Sequence, residues 1–345
     1  MKAGLVGYSL VGKTTLFNAL TALQKGSSVA PGHANIGAIK VPDARVDALA
    51  AIYRPRKKTY AEMLFVDVPG PRAKGSGLDA ESIKALGDAD AFCLVLGAFA
   101  ADAGLSSALQ QLRDFDAELV LADLGLVEKR LDRLRKEHGK TGSEYHELAR
   151  LAEHLGAAQP LRTMRWSDAE EKEMSRFQFL SRRAMLVAVN VAEEVAAHPV
   201  SPELASEAKQ RGAEALVFCA AVEAEIAQLD PKDQGEFLES LGLSEPARSR
   251  FIRAAYKLLD LISFFTVGED EVKAWTIRRG DRAPRAAGRI HSDLERGFIR
   301  AEVVHYQDFM ACGSEAKARH EGKLRLEGKE YVIQDGDIIN FRFAV

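Results

Sequence analysis

Residues 7–14 read GYSLVGKT and fit the eight-residue phosphate-loop pattern G-x-x-x-x-G-K-S/T. Each residue type has a reason to be there. Gly7 and Gly12 permit backbone conformations and close approaches that a side chain would block. The backbone N–H groups of Ser9, Leu10, Val11, Gly12, Lys13, Thr14 and Thr15 can then converge on one anion, helped by the positive end of the helix that follows. The Lys13 ammonium reaches β- and γ-phosphates, and the Thr14 hydroxyl can bind Mg²⁺.

Two further groups of residues extend this chemistry. Asp67-Val68-Pro69-Gly70 is a D-x-x-G about fifty residues beyond the loop. Its Asp67 carboxylate can hold a metal-bound water, so Thr14 and Asp67 are the expected metal ligands, and the Gly70 N–H can sense a γ-phosphate. Asn190-Val191-Ala192-Glu193 and Cys219-Ala220-Ala221 each follow an apolar run. In Ras-like switches such strand ends hold the base, and guanine selectivity there comes from N-K-x-D. Here Val191 replaces the Lys and Glu193, one methylene longer, replaces the Asp. The carboxylate that would pair with guanine and repel adenine is displaced, so the reason for guanine selectivity is lost.

These residues need strands and helices to position them. Ala3 to Val6 is a short apolar run ahead of the loop, and Leu16, Leu20 and Leu23 recur behind it at helical spacing. Strand, loop and helix in that order is the context the motif requires. Further strands are expected at residues 36–41, 63–66, 91–96, 184–189 and 215–218, four of them continuous apolar runs typical of a parallel sheet. Between the fourth and fifth of these six strands the pattern turns helical. Val120, Leu124, Val127, Leu131 and Leu134 are spaced as a heptad seam. Tyr145, Leu148, Leu151 and Leu155 give a returning face after a Gly-rich turn, with Ser143 as the expected helix cap. This predicts an antiparallel helical hairpin whose tip is basic. Residues 262–345 alternate apolar and polar positions between turn signals and read as a small mixed domain, with a helix near residues 292–298 and Trp275 and Phe298 in its core.

The 345 residues, 47% hydrophobic, are enough for two or three domains with proper cores. A net charge of −3 argues against a generally basic nucleic-acid binder. Locally, residues 273–300 carry eight Lys or Arg against three Asp or Glu, a stripe able to meet RNA phosphates or simply a solvated face. Cys93, Cys219 and Cys312 are far apart and form no metal or redox pattern, which fits a reduced cytoplasmic protein. No apolar run approaches the ~20 residues of a membrane helix, and the first strand leaves no room for a signal peptide.

On these motifs, together with V-P-D-A-R-V-D-A-L-A at 41–50, L-A-D-L-G-L-V-E-K-R-L at 121–131, C-A-A-V-E-A-E-I-A-Q-L at 219–229 and D-G-D-I-I-N-F at 335–341, the chain resembles the YchF subfamily of Obg-like ATPases from end to end. The resemblance implies an α/β fold: a Ras-like P-loop domain (residues 1–113 and 181–261), an inserted coiled-coil hairpin (114–180) and a C-terminal β-grasp-like TGS domain (262–345). It also implies ATP preferred over GTP, Mg²⁺, and association with ribosomes or RNA. The N-x-x-E form accompanies the ATP preference in that family, in agreement with the reading of Glu193.

Three positions depart from the family pattern. Pro31 stands where the family has the Thr of its first switch. Pro71 follows the D-x-x-G, where Ras-like enzymes have a water-orienting Gln and the family a hydrophobic residue. A His that the family carries in the strand after the second switch aligns with Phe92. No catalytic base is identified. Two readings stay open: a slow or partner-dependent ATPase switch, and a hydrolysis-deficient binding module whose catalytic site has lapsed.

Overall fold

The computed structural model describes residues 2–21, 35–68, 78, 80–99, 104–139, 141–230 and 232–344. The chain divides into two compact units, Met1–Gly37 with Leu64–Phe251, and Ala38–Met63 with Ile252–Val345. Residues 38–63 thus group with the C-terminal residues, a grouping that no composition shift in the sequence announces.

The strands up to residue 251 are β1 (Lys2–Val6), β2 (Asn35–Lys40), β3 (Lys57–Thr59), β4 (Glu62–Asp67), β5 (Ala91–Ala98), β6 (Ala184–Val191) and β7 (Ala213–Phe218). All but β3 form one sheet in the order β2-β4-β1-β5-β6-β7. β1 pairs in parallel with β4 on one side and β5 on the other, and β5, β6 and β7 follow in parallel. The chain order therefore reverses across β1, the place where an α/β sheet opens a crevice beyond its strand ends. Residues 91–96 of β5 are all buried, as a central parallel strand requires. The expected six strands are all present, and β3, three residues long and mostly charged, is the one that periodicity missed.

The helices to residue 258 are α1 (Lys13–Thr21), α2 (Ala44–Tyr53), α3 (Ala80–Gly87), α4 (Gly104–His138), α5 (Ser143–Gly156), α6 (Asp168–Met174), α7 (Pro202–Gln210), α8 (Ala220–Ile226), α9 (Gln234–Ser240) and α10 (Ala247–Leu258). Helices α4 and α5 form the expected hairpin. Val120, Val127, Leu131 and Leu134 of the seam are buried against Tyr145, Leu148, Leu151 and Leu155, with Leu124 at the edge. The cap differs from expectation. Gly142 stands at the N-cap with no side-chain bond, and Ser143 is the first helical residue. Its hydroxyl turns instead to Glu173 Oε2 at 3.2 Å. A φ of +100° at Gly142 is the backbone geometry this turn needs, and it suits Gly rather than Ser. Part of the basic tip is neutralised in place: Arg130 Nε lies 2.7 Å from Glu144, and Arg135 3.1 Å from Asp132.

The base of α4 is fixed by buried polar contacts. Asp116, fully buried, accepts from Arg162 and from Arg211, the latter at 2.8 Å, while Arg211 also meets Glu207 at 2.8 Å. Further along, Asp123 accepts from the Leu180 and Ser181 N–H groups at 2.9 and 2.7 Å. Burial pushes its carboxyl up to about 6, against those hydrogen bonds, which act in the opposite sense. Asp116→Ala leaves two guanidinium groups without their shared counter-charge, one of them buried. It is expected to cost about 3 kcal/mol or more of stability. A denaturant midpoint equal to that of the parent protein would show that the network is idle.

The second unit is built on β8 (Leu261–Thr266), β9 (Glu271–Arg278), β10 (Phe298–His305), β11 (Arg325–Glu327) and β12 (Asp337–Phe343), with β3 added at one edge. The order is β11-β10-β12-β8-β9-β3. β12 and β8 run parallel between antiparallel neighbours, a β-grasp-like arrangement. The helix expected near residues 292–298 is α12 (Ser292–Arg296), and a further helix, α11 (Ala283–Ile290), precedes it. Ala283, Ala286 and Ala287 of α11 pack on Ile262, Phe264 and Ile277. Pro284 in its first turn and Gly288 inside it disguise that helix in the sequence. Phe298 is in the core and Trp275 packs at its margin, where its N–H donates to Thr266 Oγ1 at 2.9 Å. Much of the basic stripe is paired: Arg279 lies 3.1 Å from Asp260, Arg285 3.3 Å from Asp281, and Arg282 meets Glu330. On α2, the Arg45 guanidinium meets Asp43 at 2.8 Å and Asp335 at 3.0 Å and lies 5.0 Å over the Phe265 ring. These contacts are the physical reason residues 38–63 belong to this unit. Among the described residues no helix is long and apolar enough to cross a membrane.

Candidate nucleotide-binding site

The loop of residues 7–12 leaves the C-terminal end of β1, in the middle of its sheet, and runs directly into α1. Two positions need glycine. Gly7 has φ of +136°, and a Cβ there would lie 2.5 Å from the Val95 carbonyl oxygen. Gly12 has φ of +99°, and its Cβ would lie 2.4 Å from Asn190 Nδ2. Leu10 takes φ of +65° without being glycine, and its side chain is 94% exposed. Helix α1 begins with the Leu16 N–H on the Gly12 carbonyl at 2.9 Å and is held down by Leu16, Phe17, Ala19 and Leu20. Its N-terminal end is thereby anchored just behind the loop, where its dipole favours an anion.

The Lys13 cation and the side-chain oxygens of Thr14 and Asp67 lie at this end. Lys13 Nζ donates to the Tyr8 carbonyl at 2.6 Å. Burial pushes the Lys13 ammonium below its usual range, and Asp67 pulls it back. Thr14 Oγ1 donates to Asp67 Oδ2 at 3.1 Å, although 53 residues separate them. The pairing of β1 with β4, with Leu5 opposite Asp67, brings the two together. Among the described residues no cluster of three or more His, Cys, Asp or Glu is placed to hold a metal ion. Thr14 and Asp67 supply two hard oxygens, which suits a cation that takes its other ligands from phosphate and water.

The side of the loop facing β6 and α8 is organised by Asn190. It is the penultimate residue of β6, is buried, and uses both ends of its amide: Nδ2 donates to the Val11 carbonyl at 3.0 Å, and Oδ1 accepts from the Ala220 N–H at 3.0 Å. The amide therefore ties the phosphate loop to the first turn of α8, whose N-cap is the buried Cys219. Ala221, next in α8, is exposed, while Val191 beyond Asn190 is half-buried. Glu193 is exposed at the start of the short 3-10 turn Glu193–Val195. Ser9, Leu10, Thr14 and Thr15 are exposed, Gly12 and Lys13 half-buried, and Val11 buried. The structure thus gathers residues 7–15, Asp67, Asn190, Cys219 and Ala220 at one end of the sheet. Gly70, Pro31 and Pro71 lie outside the described residues. Phe92, at the position aligned with the family His, is wholly buried and pairs with Gly4, back from the strand ends.

Sequence reasoning passed over a second layer. Tyr8 inside the motif is buried, and its ring meets Phe115 of α4 edge-on, with centroids 6.2 Å apart. Its hydroxyl reaches Glu118 Oε1 at 3.4 Å. Gln111, one turn before Phe115, bonds both the N–H and the carbonyl of Gly97 at 3.0 Å each. Gln111 and Glu118 lie on a helix full of polar residues, and nothing in their local sequence marks them. Glu223 is another such residue: its carboxylate accepts from the Ala247 and Arg248 N–H groups at 2.6 and 3.0 Å and closes the start of α10.

Comparison with known proteins agrees with this layout. A family profile described as a 50S ribosome-binding GTPase matches residues 2–130, and the profile YchF-GTPase_C, described only as a protein of unknown function, matches residues 261–344. Over its whole length the chain is 39% identical to a Bacillus subtilis protein named ribosome-binding ATPase YchF, with all of that protein covered. It is likewise 39% identical to the Pasteurella multocida protein of that name, 99% of which is covered. The solved structure of the Schizosaccharomyces pombe YchF GTPase superposes with a TM-score of 0.87 at 28% identity, covering 99% of this chain and 97% of that one.

Proposed function

The chain belongs to the YchF family of phosphate-loop proteins, and from that membership we propose that it is an ATP-binding switch, preferring ATP to GTP, that hydrolyses ATP slowly or only with a partner and acts at the ribosome. The observation that carries the reading is the contact of Thr14 with Asp67 beside Lys13 at the mouth of the loop. Those groups fit Mg²⁺-ATP: Thr14 and Asp67 would hold the ion, and the backbone of residues 9–15 with Lys13 would hold the phosphates. When bound, Mg²⁺ neutralises charge on the phosphate oxygens. The chain's own part is to bind and orient. Gly70, in the D-x-x-G, is assigned to the γ-phosphate.

Base preference rests on the ends of β6 and β7. Asn190 is spent on holding the loop and α8 together, so reading falls to Val191, Glu193, Cys219, Ala220 and Ala221. Glu193 is exposed and lies on a 3-10 turn. A flexible glutamate there imposes less on a purine edge than the short aspartate that reads guanine. The ribosome, or RNA on it, is the proposed partner because the full-length relatives are named for binding it. That partner places the work in the cytoplasm. The functional division proposed is residues 1–113 and 181–261 for nucleotide, 114–180 for the helical arm and 262–345 for the TGS-like domain, the last two supplying contacts to the partner.

The test is a calorimetric titration of nucleotide-stripped protein with ATP and GTP side by side. ATP is expected to bind at least as tightly as GTP, and Glu193→Asp alone should not reverse the order, because Val191 still lacks the Lys stem and charge. A clear preference for GTP in the parent protein would overturn the base assignment. One observation favours a second reading, a binding module with a lapsed catalytic site. Residues 92–96 of β5 are all apolar or thiol side chains and all buried, so this strand presents no imidazole or carboxylate to the phosphate end.

A further inference from the structure

Tyr8 stands between two things that a switch has to connect. Its backbone carbonyl receives the Lys13 ammonium at 2.6 Å, the same cation a triphosphate requires. Its side chain points the other way, into α4, with the ring against Phe115 and the hydroxyl 3.4 Å from Glu118 Oε1. Helix α4 runs unbroken from Gly104 to His138, so the helix that seats Tyr8 is also one limb of the arm. The seat is firm on its other sides: Gln111 holds Gly97, and Asp116 holds Arg162 and Arg211. Burial, with Glu118 and Asp114 adding to it, raises the Tyr8 phenol above its usual range, so it remains a hydrogen-bond donor at all ordinary pH.

The Lys13 ammonium has three N–H donors, so it can hold the Tyr8 carbonyl and phosphate oxygens together. A bound phosphate would fix that cation and, through the carbonyl contact, the backbone of Tyr8. The Tyr8 side chain is then held between the loop and its partners Phe115 and Glu118. We propose that Tyr8 is a positioning residue that couples occupancy of the phosphate loop to helix α4, so that bound nucleotide tightens the Tyr8–Glu118 contact and the state of the site is felt along the arm. The proposal rests on the nucleotide reading of residues 7–15. Coupling of this kind is reciprocal: whatever loosens α4 at Glu118 must weaken nucleotide binding by the same factor.

The experiment pairs ATP affinity with amide hydrogen exchange, with and without Mg-ATP, on the full chain. In the parent protein ATP is expected to slow exchange in the loop and also across residues 111–123 of α4. Tyr8→Phe keeps the ring against Phe115 but removes the donor. It should bind ATP roughly three- to tenfold more weakly, the worth of one such hydrogen bond. It should still protect the loop, and it should lose the added protection of α4. Glu118→Gln retains an acceptor and should behave as the parent, whereas Glu118→Leu should behave as Tyr8→Phe. A merely structural role would not separate Gln from Leu in the ATP-dependent part of the exchange. Parent-like protection of α4 in both Tyr8→Phe and Glu118→Leu overturns the coupling while leaving the nucleotide site intact. Absence of ATP binding and of loop protection in the parent protein overturns the nucleotide reading, and the coupling with it.

Discussion

Lys13→Ala is expected to weaken ATP binding about a hundredfold or more, the scale of deleting a charge-assisted hydrogen bond to a triphosphate. The ammonium is half-buried and held at 2.6 Å by the Tyr8 carbonyl, so it is already at the phosphate end and needs only to turn. Burial holds its proton affinity below that of a free lysine, and phosphate charge would restore it. The cation is thus worth more with ligand than without, which is the condition for a large binding effect and a small stability effect. The fold should survive the change. α1 is anchored by Leu16, Phe17 and Leu20, and the loop by Asn190, none of which depends on Lys13. Thermal denaturation of the empty variant should match the parent, while calorimetry with Mg-ATP should show little heat. Unchanged ATP affinity in a folded variant would remove residues 7–15 as the nucleotide site.

The phosphate loop was legible because its chemistry constrains residue type. Only glycine tolerates the approach of Val95 at position 7 or of Asn190 at position 12, and those demands are written into the sequence. The central strands were legible for a similar reason, since burial on both faces leaves a continuous apolar run. The arm showed through its heptad seam. What stayed hidden depends on tertiary packing. Glu118, Gln111, Asp116 and Glu223 are polar residues on helices, ordinary by type, and only packing tells a buried one from a solvated one. Strand β3 is too short and charged for periodicity. It exists because β9 offers it an edge, with Lys57 opposite Glu271 and Thr59 opposite Lys273. Helix α11 hid behind Pro284 and Gly288. Resemblance implied what residues alone could not, the association of N-x-x-E with a preference for ATP.

ATP hydrolysis by the isolated protein should be slow, and slower than in relatives that keep the switch Thr and the strand His. Phosphoryl transfer is accelerated mainly by positioning and by charge stabilisation in the transition state. On the proposed reading, Lys13, Thr14 and Asp67 would position Mg-ATP, and Lys13 with the ion would also balance charge on the phosphates. Orienting a water against the γ-phosphate needs a further side chain. Pro31 and Pro71 have no hydrogen-bonding side-chain atoms, and Phe92 is buried and cannot exchange a proton. Each tenfold drop in rate corresponds to about 1.4 kcal/mol of barrier, so two missing contributors are enough to leave turnover near background. Binding is spared, because interactions made in the ground state are separable from those made only in the transition state. Single-turnover hydrolysis of ATP, measured with and without ribosomes, separates the cases. Slow turnover alone that ribosomes accelerate would mean the partner supplies the missing group. Slow turnover in both would favour the lapsed catalytic site. Brisk turnover by the protein alone would overturn the expectation and require a catalytic group among residues other than those named.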